Sequence, residues 1–128
     1  MGTWTRINAP ELPELPVFCH AAVAGDTIYV SGMLGVTDDF SGVVDGGIAA
    51  ETRAALRHTE RILAACGASL EDIVKVSAYL PDLGDWTAMN EAYVDVLGEH
   101  TPARIAVGCD ALLFGARVEL DCIAYKPR

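Results

Sequence analysis

Apolar and polar side chains alternate in some segments of this chain and recur every three or four residues in others. Residues 18–23 and 27–31 are rich in β-branched and aromatic side chains, and Ala24-Gly25-Asp26 between them suits a tight turn. We therefore expect two antiparallel strands joined as a hairpin.

Two segments have the periodicity of amphipathic helices. In residues 48–66, apolar or small side chains recur at three- and four-residue steps, with Gly46-Gly47 before the segment and Gly67 after it. Asp85 can cap a second helix, whose apolar stripe is bordered by Asn90 and ends at Gly98. The first helix is followed by residues 73–80, which alternate in polarity until Pro81 and predict a strand.

The last predicted elements are two strands, residues 104–109 and 117–125, on either side of a loop that contains Gly115. The order of elements is then hairpin, helix, strand, helix, hairpin. This order predicts an α+β fold in which a mixed sheet carries both helices on one face. Because no internal boundary or repeat is visible, residues 1–128 are expected to form a single domain.

Alternation within the last two strands predicts which side chains share a face. Ile105, Val107 and Cys109 would point to the core, as would the apolar positions of the final strand. A hairpin that brings the apolar faces together puts Arg104 opposite Asp121, Ala106 opposite Glu119 and Gly108 opposite Arg117.

This register brings an arginine and a glutamate together beside two small residues, which leaves room for a ligand. The Arg104 guanidinium offers a planar fork that fits a carboxylate, and Glu119 could hold a water and transfer a proton. The alternative is a solvated ladder of cross-strand ion pairs, worth about 0.2–1 kcal/mol each, and spacing alone favours this alternative.

Composition and charge exclude several classes of protein. Nine basic and eighteen acidic side chains give a net charge of −9, which repels nucleic acid. Charges interrupt every apolar run before it could cross a membrane, and the N-terminus does not look like an export signal, so we expect a cytoplasmic protein. The four cysteines and three histidines are dispersed, which argues against a metal site and favours reduced thiols.

Five short motifs resemble the Rid/YjgF family in content and order: Ile28-Tyr29-Val30-Ser31-Gly32, Asp72-Ile73-Val74-Lys75-Val76, Met89-Asn90-Glu91-Ala92-Tyr93, Pro102-Ala103-Arg104 and Val118-Glu119-Leu120. The resemblance implies a chorismate-mutase-like α+β fold and a homotrimer with clefts between subunits. It also implies hydrolysis of small enamine or imine acids, such as 2-iminobutanoate and 2-iminopropanoate, without cofactor or metal.

The resemblance also assigns roles to individual residues. Arg104 would bind the substrate carboxylate and Glu119 would position the water. Ser31, Gly32 and Asn90 would line or support the pocket, although capping roles are equally open for Ser31 and Asn90. Two positions depart from the family pattern, since Phe18 stands where an aromatic hydroxyl is usual and Ala106 where a cysteine is common. His20, two residues after Phe18, is a candidate replacement proton carrier.

These departures leave alternatives to a general deaminase. One is a non-catalytic trimer that binds a keto or amino acid as a regulator, and another is a pathway-specific enzyme for a different carbonyl or enamine compound. Ribonuclease activity is the least favoured reading because of the acidic net charge.

Overall fold

Six strands form one mixed sheet in the computed structural model, which describes residues 3–127. The strands are β1 (Thr5–Ile7), β2 (Ala21–Ala24), β3 (Thr27–Leu34), β4 (Ile73–Leu80), β5 (Ala103–Gly108) and β6 (Glu119–Tyr125). Their order across the sheet is β1-β2-β3-β6-β4-β5. Neighbours are antiparallel except β4 and β5, which are parallel.

Two helices, α1 (Gly47–Ala65) and α2 (Trp86–Leu97), pack together and cover one face of the sheet. The apolar stripes predicted from their periodicity are the buried ones, with Leu56, Ile62 and Leu63 of α1 and Met89 of α2 inaccessible to solvent. They meet Val76, Ala78 and Leu80 of β4 and the alternate residues of β6 in the core. The predicted α+β fold with both helices on one face is confirmed.

The predicted terminal hairpin is wrong. β4 lies between β5 and β6, so the expected pairs Arg104–Asp121, Ala106–Glu119 and Gly108–Arg117 do not form. Arg104 is instead aligned with Val76 and Ala106 with Ala78, while Glu119 is aligned with Tyr79. The crossover through α2 makes β4 and β5 parallel, and β5 pairs with β4, whose other edge is occupied by β6.

The face assignment for β5 is also wrong, whereas that for β6 holds. Ile105 and Val107 are 50% and 38% exposed on the uncovered face, while Arg104 and Ala106 point toward the helices. Cys109 follows the end of the strand and is partly exposed. The alternate β6 residues Leu120, Cys122 and Ala124 are buried as expected. On an edge strand both faces are only half covered, so apolar character did not identify the core side.

The first hairpin is present, with differences at its N-terminal side. β3 pairs with β2, which begins at Ala21 and not at Phe18 as predicted. Phe18 lies in the irregular segment before β2. The three-residue strand β1 was not expected from the sequence, since so short a segment carries no readable alternation.

No helix within residues 3–127 is long and apolar enough to cross a membrane. In the same part of the chain, no group of three or more His, Cys, Asp or Glu side chains is arranged to hold a metal ion.

Candidate functional site

Glu119 lies at the start of β6, above a bulge in the neighbouring strand. The register between β3 and β6 shifts between Val30 and Met33, so Ser31 and Gly32 form the bulge. The carboxylate of Glu119 occupies the space above Gly32, where the Cβ of any larger residue would overlap Oε2. Gly32 therefore makes room for the Glu119 carboxylate, which agrees with its expected position at the site.

Glu119 has unusual electrostatics for a surface glutamate. Its side chain forms no hydrogen bond or ion pair within residues 3–127. Burial raises the pKa of its carboxyl above the ordinary value, and the nearby carboxylate of Asp121 raises the pKa further. Asp121 itself accepts a 3.3 Å hydrogen bond from the Tyr79 hydroxyl. Glu119 is thus a partly desolvated carboxylate without a partner, which is a favourable state for a base.

Arg104 projects from β5 toward α2, where it lies over aromatic rings. Its Cζ is 4.9 Å from the centre of the Tyr93 ring and 6.0 Å from that of Trp86. Within residues 3–127 its guanidinium forms no hydrogen bond or ion pair, although the chain has eighteen acidic residues. The rings restrict the side chain while its N–H donors remain available to an anion.

Two buried polar atoms on α2 lack partners close to this arginine. Asn90 Oδ1 and the Tyr93 hydroxyl are inaccessible to solvent and form no hydrogen bond within the described part of the chain. Asn90 lies between Trp86 and Tyr93 on the same helix face, given their spacing of four and three residues. Buried polar groups are rarely left unpaired, so these two atoms have a hydrogen-bonding capacity that no described residue uses.

Arg104 and Glu119 do not face a common cavity within one chain. Val76, aligned with Arg104, and Tyr79, aligned with Glu119, are three residues apart on β4 and therefore point to opposite faces. The two side chains start roughly 10 Å apart across the sheet and roughly 10 Å apart along it. A small ligand cannot contact both in a single copy.

The remaining expected site residues divide between these two places. Phe18 and Gly32 line one apolar cavity, and Gly32 also lies beneath the Glu119 carboxylate. Ala106 lies on the Arg104 side and packs against the core. The Ser31 hydroxyl donates a 2.7 Å hydrogen bond to the Cys19 carbonyl, so its role here is to fix the segment that carries Phe18.

His20 does not have the surroundings of a proton carrier. It is fully buried, its Nδ1 accepts a 3.0 Å hydrogen bond from the Ala9 N–H, and its Nε2 is 2.8 Å from the Pro13 carbonyl. Both ring nitrogens thus bind the backbone of the N-terminal segment. We correct the expectation to a structural histidine that fastens this segment to the sheet.

Sequence reasoning missed three aromatic residues near these groups. Phe40 and Phe114 line the cavity beside Gly32, and Tyr93 supports Arg104. Neither phenylalanine lies in a segment with helical or strand periodicity. The only signal in the sequence was a large apolar residue within a turn-rich segment.

The chain is similar in sequence and fold to several known proteins. Residues 10–126 match the family described as endoribonuclease L-PSP. The human 2-iminobutanoate/2-iminopropanoate deaminase is 34% identical over 109 residues, which cover 85% of this chain and 80% of that protein. RidA from the Antarctic bacterium Psychrobacter superposes with a TM-score of 0.87 at 34% identity, covering 94% of this chain and 98% of that one. TdcF from E. coli with bound serine superposes with a TM-score of 0.86 at 25% identity, covering 95% and 98%.

Proposed function

Because the chain belongs to the endoribonuclease L-PSP family, which contains the YjgF and Rid proteins, we propose that it hydrolyses small 2-imino or enamine acids to 2-keto acids and ammonia. The observation that carries this proposal is the pair of unpartnered charged groups, Arg104 and Glu119. Arg104 suits a substrate carboxylate, and Glu119 suits a water molecule. The relatives named as imine deaminases support the same chemistry.

In the proposed reaction, Arg104 binds the carboxylate of R–C(=NH)–COO⁻ through two parallel N–H···O hydrogen bonds. Glu119 accepts a proton from a water molecule whose oxygen bonds to the imine carbon, while the C=N π electrons move to nitrogen. Glu119 returns this proton to the nitrogen, which gives the carbinolamine R–C(OH)(NH₂)–COO⁻. Glu119 then takes the hydroxyl proton and passes it to the nitrogen, so that the C–N bond breaks and R–C(=O)–COO⁻ and NH₃ leave. An enamine substrate first takes a proton on carbon to become the imine. No cofactor or metal is needed for these steps.

Since the two groups face opposite sides of the sheet in one chain, we infer that the complete site forms between copies in a homotrimer. Arg104 of one subunit would then meet Glu119 of its neighbour in an inter-subunit cleft. The uncovered sheet face supports such an assembly, because it carries large apolar side chains (Tyr29, Ile105, Val107 and Tyr125) that are at least 38% exposed. No cysteine within residues 3–127 forms a disulfide, which fits a cytoplasmic location.

The first test is ammonia and keto-acid release from 2-iminobutanoate and 2-iminopropanoate generated in the assay by an auxiliary enzyme. We expect the protein to accelerate release above the spontaneous rate. Arg57→Ala and Glu60→Gln on exposed positions of α1 serve as matched controls that should retain the rate. Binding of pyruvate or serine without any acceleration would instead support the regulatory trimer, which Phe18 and Ala106 favour by removing a hydroxyl and a thiol.

The family description names ribonuclease activity, and the same preparation can test it. A net charge of −9 leaves no electrostatic attraction for the RNA backbone. We therefore expect no RNA cleavage beyond that of the Glu119→Gln variant.

The close approach of Glu119 to Gly32 gives a further prediction. In Gly32→Ala the new Cβ must displace the Glu119 carboxylate, so we expect kcat to fall by about 10²-fold, as for a misplacement of about 1 Å. Gly42→Ala is the matched control, because a Cβ there meets nothing within 4 Å. Equal rates for the two variants would mean that the position of Glu119 is not critical.

A further inference from the structure

A cavity of about 200 Å³ opens beside Gly32, the residue beneath the Glu119 carboxylate. Its floor is formed by the buried residues Met33 and Val36. Its walls are apolar throughout and include three phenylalanines and three leucines (Phe18, Phe40, Phe114, Leu15, Leu34 and Leu113). An apolar group of the ligand could therefore occupy the cavity while its reacting carbon lies near Glu119.

Two walls of this cavity are held in an unfavourable backbone conformation. Among residues 3–127, only Phe40 and Phe114 are non-glycine residues with positive φ, at 61° and 62°. A bulky residue in this region is a true outlier, and such strain persists where the surroundings enforce it and is concentrated at binding sites. That both outliers line one cavity indicates that its shape is maintained at a cost to the backbone.

Specific contacts hold each of these walls. The Phe40 ring packs edge-on against His20 and His58, with ring centres 6.1 and 5.6 Å away. The loop with Phe114 ends at Arg117, whose N–H donates a 2.8 Å hydrogen bond to the buried carboxylate of Glu51. Ring contacts thus fix the Phe40 wall, and a backbone hydrogen bond anchors the end of the loop that carries Phe114.

We propose that this cavity receives the substrate side chain, so that the enzyme prefers imino acids with a benzene-sized or branched apolar side chain over 2-iminopropanoate. This inference rests on the proposed function, because it assumes that Glu119 activates the water. An apolar cavity of about 150 Å³ holds a benzene molecule, so about 200 Å³ accommodates a phenyl group or a branched aliphatic chain. A polar side chain would lose its water without gaining hydrogen bonds, since the walls are apolar.

The test compares the imines that an L-amino-acid oxidase produces from phenylalanine, leucine and alanine, with keto-acid and ammonia release as the readout. We expect kcat/KM to be at least about 10-fold higher for the phenylalanine and leucine imines than for the alanine imine. In Phe114→Gly this ratio should fall by at least about 10-fold. Glycine tolerates the positive φ, so this variant should fold at least as well as the wild type.

Val94→Ala truncates an exposed apolar residue on α2 and should keep the wild-type ratio. Hydrolysis of all three imines at similar kcat/KM would overturn the side-chain cavity while leaving the deaminase intact. If no imine is hydrolysed, the proposed deaminase activity is wrong. Calorimetry that compares the binding of phenylpyruvate and pyruvate then still tests whether the cavity binds an apolar side chain. Tighter binding of phenylpyruvate that Phe114→Gly abolishes supports the cavity, and equal binding of both acids contradicts it.

Discussion

Replacing Glu119 by glutamine is expected to lower kcat/KM for imine hydrolysis by about 10²- to 10⁴-fold, the usual contribution of a positioned general base. Glutamine has nearly the same shape and can still contact a water, but it cannot take its proton. The wild-type rate should also fall as the pH drops through the pKa of Glu119. Because burial and Asp121 raise that pKa, the fall should begin above the ordinary range for glutamate.

The stability of the same variant separates lost chemistry from misfolding. A raised carboxyl pKa means that the folded chain binds the proton more tightly than the unfolded chain does. This stabilises the fold below the ordinary glutamate pKa, and the benefit is lost as the pH rises through the raised pKa. At neutral pH the wild type therefore carries an unfavourable charge that glutamine removes. The Tm of Glu119→Gln at pH 7 should equal or exceed that of the wild type. A lower Tm would contradict this account. So would a variant whose remaining rate still falls at acidic pH as the wild-type rate does.

Removing the Arg104 guanidinium is expected to lower kcat/KM by about 30- to 5,000-fold, since losing one partner of a sheltered charge pair costs about 2–5 kcal/mol. The loss should appear mainly in KM, because the carboxylate contact is made both before and during the reaction. Arg104→Ala is the variant, and steady-state kinetics with 2-iminobutanoate is the measurement. Arg104→Lys should recover only part of the affinity, because an ammonium group cannot form the two parallel hydrogen bonds.

Controls for the arginine variant follow from its surroundings. Arg57→Ala removes an exposed arginine from α1 and should leave the kinetics unchanged. The cation–π contact with Tyr93 is lost in Arg104→Ala, at a cost of about 0.5–1 kcal/mol in stability, which a thermal melt can register. Unchanged KM in a folded Arg104→Ala protein would exclude Arg104 as the carboxylate-binding group.

The two inactive variants together test whether the site is shared between subunits. If Arg104 and Glu119 of different copies form one site, unfolding and refolding an equal mixture of Arg104→Ala and Glu119→Gln should restore activity. In a closed ring each site then has both groups intact with a chance of about one quarter, so about a quarter of the wild-type rate is expected. A mixture that stays inactive would require both groups to act within one chain, against their opposite orientation on the sheet.

Local patterns in the sequence determined most of the elements and the core. The helix expected over residues 48–66 is found at Gly47–Ala65, and the strand expected over residues 73–80 is found at Ile73–Leu80. Ser69 and Asp72 form a capping box just before β4, with a 2.8 Å hydrogen bond from the Ser69 N–H to the Asp72 carboxylate. Periodicity and capping are properties of neighbouring residues, so the chain alone carries them.

Only the tertiary structure decided how the strands are arranged and therefore which charged groups meet. Alternation within a strand does not determine which strand lies beside it, because a β5–β6 hairpin and a sheet with β4 between the two strands both keep the period of two. The choice depends on the crossover through α2, which is a long-range connection. It separates Arg104 from Glu119 and puts Phe40 and Phe114 beside Gly32. The family motifs thus selected Arg104 and Glu119 as candidate site residues, whereas the cavity depends on contacts between residues about 80 positions apart, which no local pattern encodes.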